Sequence, residues 1–307
     1  MIEFKNLTKT YNGINAVDNL SLTIENGEIF GLLGPNGAGK STTILMLCGL
    51  IQPTSGECLI DGTEVSKNPV EVKRNIGYMP EDVGFYQNLT AEQNLSFFAK
   101  LYDMNKELRD KKIPELLELV GLEGVEKTVG GYSKGMRQRL GIAKALINDP
   151  SVVILDEPTA NLDPQGVSDY RKIIRQISDS EKTVLVSSHI LSEVSKVCSD
   201  VGIMQKGRLV HRGSWQELSG SLNICGLESI IINLEAESEI PELAISDITG
   251  TEISADGRRA VITAKSDVRS EISRVLNRNN VLIKELCIDQ TTLEDAVLSY
   301  YNLEAAN

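Results

Sequence analysis

The chain lacks any long hydrophobic run. Its longest apolar stretch is ILMLCGLI at 44–51, whereas a helix that crosses a bilayer needs roughly 20 such residues. The first residues, MIEFKNLTKTY, also lack the basic and then apolar pattern of a secretory signal. From these two absences we expect a cytoplasmic protein that does not insert into the membrane.

Cysteine is scarce as well. The five cysteines, Cys48, Cys58, Cys198, Cys225 and Cys287, are scattered along the chain, and no pair has the spacing of metal ligands. This pattern is typical of reduced thiols in a cytoplasmic protein.

Basic residues are too few to balance the acidic ones, and the net charge is −12. Such a surface repels nucleic acid, so we expect no nucleic-acid partner. From residue 222 onward there are 15 acidic and 7 basic residues, a net charge of −8, which leaves −4 for the preceding part. This shift predicts two domains, at 1–221 and 222–307.

A glycine-rich loop stands between a predicted strand at 29–33 and a predicted helix at 42–50. Its sequence, GPNGAGKS, has the form G-x-x-x-x-G-K-[ST], and the strand–loop–helix context is the one that makes this motif specific for phosphate. Glycines let the backbone wrap closely round phosphate oxygens, and the helix start adds positive potential. The candidate nucleotide-binding residues of the loop are Gly34, Pro35, Asn36, Gly37, Ala38, Gly39, Lys40, Ser41 and Thr42.

Side chains suited to phosphate chemistry occur in this loop and at the end of a second apolar run. Lys40 can reach the outer phosphates, and the Ser41 hydroxyl can bind Mg²⁺. The segment VVILDE at 152–157 predicts a buried strand that ends in two acids. Asp156 is placed to hold Mg²⁺ directly or through water, and Glu157 to polarise an attacking water.

Two further segments are predicted to reach the same edge of the sheet. In PTANLDP, Asn161 and Asp163 belong to a tight loop before a helix that starts near Pro164. In KTVLVSSHILSEV, His189 follows a predicted buried strand, where α/β proteins bind their ligands. We assign no role to His211, the other histidine.

A second candidate anion loop lies in VGGYSKGMRQRLGIAKAL at 129–146. Small residues and Ser133 come directly before a helical pattern there. Backbone amides at the start of a helix attract anions, so Ser133 and Gly135 are predicted to contact a phosphate.

Taken in order, these segments resemble the motifs of the ATP-binding subunits of ABC transporters, over roughly residues 1–220. GPNGAGKST resembles Walker A, YSKGM the signature loop, VVILDE Walker B with its catalytic glutamate, and ANLDP the D-loop. His189 resembles the switch histidine, and Tyr11 in KTYNG resembles the aromatic residue that stacks on adenine. The resemblance implies an ATPase that uses ATP and Mg²⁺, with Lys40 and Glu157 beside His189 in catalysis.

The resemblance also implies an assembly. Two nucleotide-binding domains pair head-to-tail, and each ATP lies between Walker A of one copy and Ser133 and Gly135 of the other, with Asp163 close by. A separate transmembrane permease anchors such a pair at the inner face of the cell membrane. The acidic tail, with its Leu-Glu-Asp segment, is similar to the C-terminal extension of export-type subunits.

Two departures from the family pattern stand out. In the signature, Lys134 adds a cation near the expected phosphate, and Met136 replaces an amide that could meet the ribose. In IGYMPED, Glu81 stands where the family has a glutamine that binds Mg²⁺. A carboxylate is also a hard oxygen ligand, and Asp82 is the alternative.

The implied fold is α/β: a P-loop NTPase core with an antiparallel β subdomain, a helical subdomain at about 82–148, and a small C-terminal α+β domain. In the helical subdomain we predict Phe97 and Phe98 to be core residues. Phe85 and Tyr86 are candidates for a groove that docks onto the permease.

Two other classes of protein share part of this sequence pattern. A non-transport ATPase of the same family, such as one for iron–sulfur assembly, would share the motifs. The DNA-repair type is disfavoured because only about 50 residues without sustained heptads separate Glu81 from Ser133. A P-loop kinase or GTPase is disfavoured by the signature loop and by the lack of an Asn-Lys-x-Asp segment.

Overall fold

The computed structural model describes residues 1–160, 162–178, 180–190, 194, 196–214, 217 and 230–289. The chain divides into two compact units, Met1–Trp215 and Gln216–Asn307. The predicted domain boundary after residue 221 stays a prediction. Within the described residues, no helix combines the length and apolar character that a bilayer span requires.

The first unit contains two sheets. An antiparallel sheet has the strand order β2-β1-β4-β5, and a six-stranded sheet has the order β10-β9-β3-β8-β7-β6. The strands are β1 (Ile2–Tyr11), β2 (Ile14–Ile24), β3 (Ile29–Leu33), β4 (Ser55–Ile60), β5 (Thr63–Glu64), β6 (Ile76–Met79), β7 (Val152–Asp156), β8 (Thr183–Ser188), β9 (Asp200–Gln205) and β10 (Arg208–Ser214).

The central strands β3, β7 and β8 place the site. Every residue of these strands is buried, which explains why they read as unbroken apolar runs. They are parallel neighbours, with Leu33 opposite Ser188 and Asp156 opposite Ser187. Their carboxyl ends therefore meet at one edge, and the loops that follow them lie side by side.

The helices of the described residues are α1 (Lys40–Leu47), α2 (Pro69–Asn75), α3 (Ala91–Leu101), α4 (Lys106–Leu119), α5 (Lys134–Ala145), α6 (Pro164–Ser178) and α7 (Arg269–Arg278). The predicted helix at 42–50 was misplaced, because α1 begins two residues earlier and ends sooner. Gly49 adopts a left-handed φ of 61°, and its amide and that of Leu50 bond back to the carbonyls of Met46 and Leu45. That pattern ends a helix.

The start of α3 and the end of α4 are formed by residue types that favour helix ends. Thr90 and Gln93 form a reciprocal capping box at the start of α3. After α4, Gly121 takes a φ of 62°, and the amide of Leu122 donates to the carbonyl of Leu117. The capping box thus fixes the start of α3, and the left-handed glycine fixes the end of α4.

One prediction for the aromatic residues of this subdomain is wrong. Phe97 is 37% exposed. It packs edge-on at 4.9 Å against Tyr86, which is itself on the surface. Phe98 and Phe85 are half-buried and form a second edge-on pair at 6.4 Å. Phe97 also contacts Phe98 edge-on at 5.5 Å, so the four rings form one cluster with a more exposed and a more buried side, which helical periodicity alone did not separate.

The described residues of the second unit form a four-stranded antiparallel sheet and a helix. Strands β11 (Ile230–Ala236), β12 (Ile248–Ile253), β13 (Arg259–Ala264) and β14 (Ile283–Asp289) have the order β12-β13-β11-β14. The α7 residues Ile272 and Leu276 are fully buried in a core of their own with the sheet.

Asp256 and Gly257 lie in the turn of a hairpin in which Ile253 pairs with Ala260. Gly257 has the left-handed φ of 70° that the turn requires. Cys225 and the Leu-Glu-Asp segment of the tail lie outside the described residues.

Candidate nucleotide-binding site

The phosphate loop has a backbone that only glycine accommodates. Gly34 and Gly39 have φ values of 152° and 106°. A Cβ atom at Gly34 would lie 2.3 Å from the carbonyl oxygen of Met204, and one at Gly39 would lie 2.4 Å from that of Ala16. At Gly37, with a φ of 80°, a Cβ atom would meet nothing within 4 Å, so the loop is open there for a ligand.

Lys40 is folded back on this loop. Its ammonium donates to the carbonyl oxygens of Gly34 at 2.7 Å and Pro35 at 3.3 Å. It also lies 3.3 Å from Glu157 Oε1. The side chain is only 5% exposed, so its charge is balanced by the nearby carboxylate of Glu157.

Asp156 is held by two hydroxyl groups. Ser187 Oγ donates to Asp156 Oδ1 at 2.6 Å, and Ser41 Oγ approaches the same oxygen at 3.3 Å. Burial raises the pKa of Asp156 above its usual value, while these hydrogen bonds act in the opposite direction. The site therefore contains a carboxylate whose charge is poorly solvated and which a cation would stabilise.

This pKa shift has a consequence for stability. Because the folded-state pKa is raised, the fold penalises the charged carboxylate above that pKa, and the penalty disappears once the group is protonated. We expect Asp156→Asn to raise the melting temperature at neutral pH, and to weaken turnover if the carboxylate holds the metal. Thermal unfolding of both proteins checks this: the gain should shrink as the pH falls into the ordinary aspartate range. A gain that stays constant with pH would show another cause.

Glu157 is oriented by three contacts. It has a φ of 47°, which is uncommon for a residue other than glycine. Its amide donates to Ser187 Oγ at 2.9 Å, and its Oε2 lies 2.8 Å from His189 Nδ1. One carboxylate oxygen thus faces Lys40 and the other faces His189.

A single cleft brings most of the predicted residues together. The phosphate loop lines it with Tyr11, Glu81 and Glu157, and an adjoining part adds Ala160 and His189. Asp82 is exposed and does not line the cleft. Of the two carboxylates weighed as metal ligands, Glu81 is therefore the one that faces the phosphate loop.

The donor set of the cleft fits Mg²⁺. Ser41 and Glu81 line the cleft, and the buried Asp156 contacts Ser41. All three supply oxygen atoms, which are the ligands that this hard cation prefers. Among the described residues, no group of three or more His, Cys, Asp or Glu could form a closed metal cage. A cation that takes one or two protein ligands and completes its shell with phosphate oxygens matches that arrangement.

The signature loop and the D-loop do not line this cleft. Ser133 is exposed and caps α5 by accepting a hydrogen bond from the Met136 amide at 3.2 Å. Gly135 lies in the first turn of α5. Asp163 is also exposed and caps α6, where Gly166 donates to it at 2.7 Å. Asn161 lies outside the described residues.

Sequence reasoning missed several residues that support the cleft. Ser187 links Asp156 to Glu157, and the only signal was a serine pair at the end of an apolar strand. Gln138 is buried in α5 and donates to the carbonyl oxygen of Glu81 at 3.2 Å. In β6, a Cβ atom at Gly77 would lie 1.9 Å from the carbonyl oxygen of Ala145, so α5 packs directly on the strand that leads to Glu81.

Comparison with known proteins agrees with these motifs. Residues 17–160 match the family model described as ABC transporter. The bacitracin transport ATP-binding protein BcrA of Bacillus licheniformis is 38% identical over 96% of this chain and 95% of its own length. The linearmycin resistance ATP-binding protein LnrL of Bacillus subtilis is 32% identical over 86% of this chain and 88% of its own.

Solved structures agree as well. An ATP-binding subunit of an ABC transporter is similar with a TM-score of 0.67 and 30% identity, over 74% of this chain and 95% of the other. A dimeric ATP-binding cassette bound to ADP and Pi has a TM-score of 0.64 and 28% identity, over 70% of this chain and 98% of the other.

The fold and the site define an ATPase with a P-loop NTPase core, as the sequence predicted. The chain belongs to the ATP-binding subunits of ABC transporters.

Proposed function

We propose that this chain is the energy-coupling subunit of an exporter, and that it hydrolyses Mg-ATP between two copies that pair head-to-tail. The observation that carries the proposal is the separation of two half-sites. The phosphate cleft is lined by Lys40 and Glu157, whereas Ser133 is exposed and does not line it. Each half-site lacks what the other offers, so a second copy would complete both.

The cleft residues divide the work of binding. Lys40 would exchange its contact with Glu157 for the outer phosphates of ATP. Ser41, Asp156 and Glu81 would hold Mg²⁺, which when bound supplies positive charge that offsets the charge of the phosphates. The Tyr11 ring is 47% exposed in the same cleft and is available for the adenine base.

Glu157 would act as the general base on the attacking water. Its contact with His189 at 2.8 Å would fix the orientation of the carboxylate. The same carboxylate lies 3.3 Å from the Lys40 ammonium, so a phosphate that takes over the lysine would free Glu157 to accept a proton. From the partner copy, Ser133, Gly135 and the Lys134 cation would contact the γ-phosphate, with Asp163 beside them.

The transporter part rests on similarity along almost the whole chain to subunits named for bacitracin transport and linearmycin resistance. A hydrophobic patch on the helical subdomain supports a membrane partner. It consists of Tyr86, Phe97, Leu101 and Tyr102, which are 48%, 37%, 65% and 42% exposed. We infer that a separate permease covers this patch and holds the ATPase at the inner face of the membrane.

The partner can be tested by purification of the tagged chain from membranes of its native cell. We expect a protein with several hydrophobic spans to copurify, and Phe97→Asp in the patch to abolish the association. Leu108→Asp, at another exposed apolar position on α4, serves as the matched control. Recovery of only water-soluble partners with the unmodified chain would contradict the transporter assignment and favour a soluble complex.

A further inference from the structure

Tyr11 has a neighbour whose role no motif assigns. The ammonium of Lys9 lies 5.0 Å from the centroid of the Tyr11 ring, within the range of a cation–π contact. Tyr11 lines the nucleotide cleft and Lys9 does not. The ammonium therefore contacts the ring without occupying the space that a ligand would enter.

Lys9 is itself anchored. Its ammonium donates to the carbonyl oxygen of Gln52 at 2.7 Å, which lies in the turn before β4. That turn is fixed to β1 by two further bonds, from the Thr54 amide to the carbonyl oxygen of Thr8 at 2.8 Å and from the Thr10 amide to Thr54 Oγ1 at 3.0 Å. A lysine held in this way keeps its charge over the ring instead of sampling solvent.

The cation changes what the ring can stack on. An aromatic face carries negative quadrupole density, which opposes direct stacking on another π system. A positive charge over the ring draws that density toward itself and reduces the repulsion. The contact also limits the rotation of a side chain that is otherwise half exposed, so less freedom is lost when a base binds.

We propose that Lys9 is a positioning residue for the nucleotide base, which holds and polarises Tyr11 so that a purine stacks on the ring. This inference rests on the proposed stacking of adenine on Tyr11. In this arrangement the Gln52 carbonyl holds the Lys9 ammonium, the ammonium lies over the Tyr11 ring, and the ring receives the base.

The test separates base binding from phosphate binding. Dissociation constants for ATP and for inorganic tripolyphosphate are measured on the full chain without Mg²⁺, so that neither hydrolysis nor pairing of copies interferes. We expect Tyr11→Ala to weaken ATP about tenfold and Lys9→Met about threefold, with little change for tripolyphosphate. The double variant should be no weaker than Tyr11→Ala, because Lys9 acts through the ring.

Two controls make the comparison specific. Lys5→Met removes an exposed cation from the same strand and should leave both constants unchanged. Lys9→Arg keeps a cation over the ring and should restore most of the ATP affinity. Melting temperatures identify any variant that fails to fold. If Lys9→Met fails, the ratio of the ATP and tripolyphosphate constants is compared between Lys9→Arg and the unmodified chain.

The possible results are distinct. Equal loss of ATP and tripolyphosphate in Lys9→Met would mean a general charge effect and would overturn the inference, as would additive losses in the double variant. If Tyr11→Ala itself leaves the ratio of the two constants unchanged, the stacking role of Tyr11 fails and the role of Lys9 fails with it. An effect of Tyr11→Ala without any effect of Lys9→Met overturns the Lys9 inference alone.

Discussion

Glu157→Gln should abolish ATP turnover while leaving nucleotide binding intact. The amide cannot accept the proton of the attacking water, and loss of a general base costs about 10²–10⁴-fold in rate. The change also removes the negative charge that lies 3.3 Å from Lys40, so ATP should bind as tightly as before or more tightly. Without hydrolysis, the proposed pair of copies should accumulate, and size-exclusion chromatography with Mg-ATP should show a dimer.

The matched control is a Glu→Gln change at a surface position away from the cleft. Glu71→Gln replaces an exposed glutamate on α2 and should leave both turnover and the elution profile unchanged. Normal hydrolysis by Glu157→Gln would show that another group activates water. If Glu157→Gln does not hydrolyse ATP but stays monomeric, Glu157 keeps its assignment as the general base and the head-to-tail pair is contradicted.

Lys40→Ala should weaken ATP binding by about 2–3 kcal/mol, roughly 30- to 150-fold in Kd, because a charge-assisted phosphate contact is lost. The lysine is almost fully buried, so its removal leaves the Glu157 carboxylate without its cation and costs some stability as well. Lys40→Met keeps the aliphatic stem and separates packing from charge. Lys100→Ala, at an exposed position of α3, is the control for a general loss of positive charge.

Mixing experiments extend this prediction to the assembly. Lys40→Ala lacks one half-site, and Ser133→Arg lacks the other, so each variant alone should be inactive. A mixture should recover up to about a quarter of the parent rate, since half of the pairs are mixed and each has one intact site. Equal ATP affinity in Lys40→Ala and the parent would contradict the phosphate-loop assignment, and a mixture as inactive as its components would contradict the composite site.

The strands that position the site could be predicted because each is buried on both faces. Such strands are unbroken apolar runs, and the residues that follow them, Lys40 after its loop, Glu157 and His189, occupy one sheet edge by topology alone. The boundaries of α1 could not be predicted with the same accuracy. Its end depends on Gly49 adopting a left-handed conformation, and the same glycine could have been accommodated inside the helix.

Contacts between distant segments were beyond the reach of the sequence. The motifs indicate that Lys40 and Glu157 serve one site, but not that the two side chains form an ion pair. Ser187 and Gln138 act through hydrogen bonds to residues far away in the chain, and a polar residue in a strand or helix has the same local pattern whether or not such a partner exists. Phe97 was misjudged for a related reason, since its exposure depends on how Tyr86 packs against it.

The glycine in β6 has a mechanical consequence. Gly77 allows the last turn of α5 to rest on the strand backbone, and Gln138 ties the same helix to the carbonyl of Glu81. A 12-residue helix is a stiff rod about 18 Å long, with Ser133 at its opposite end. A displacement of Glu81 would therefore tilt the helix and shift Ser133, which faces the other copy in the proposed pair. A larger side chain at position 77 would then impair both pockets of the proposed pair at once, without competing with nucleotide.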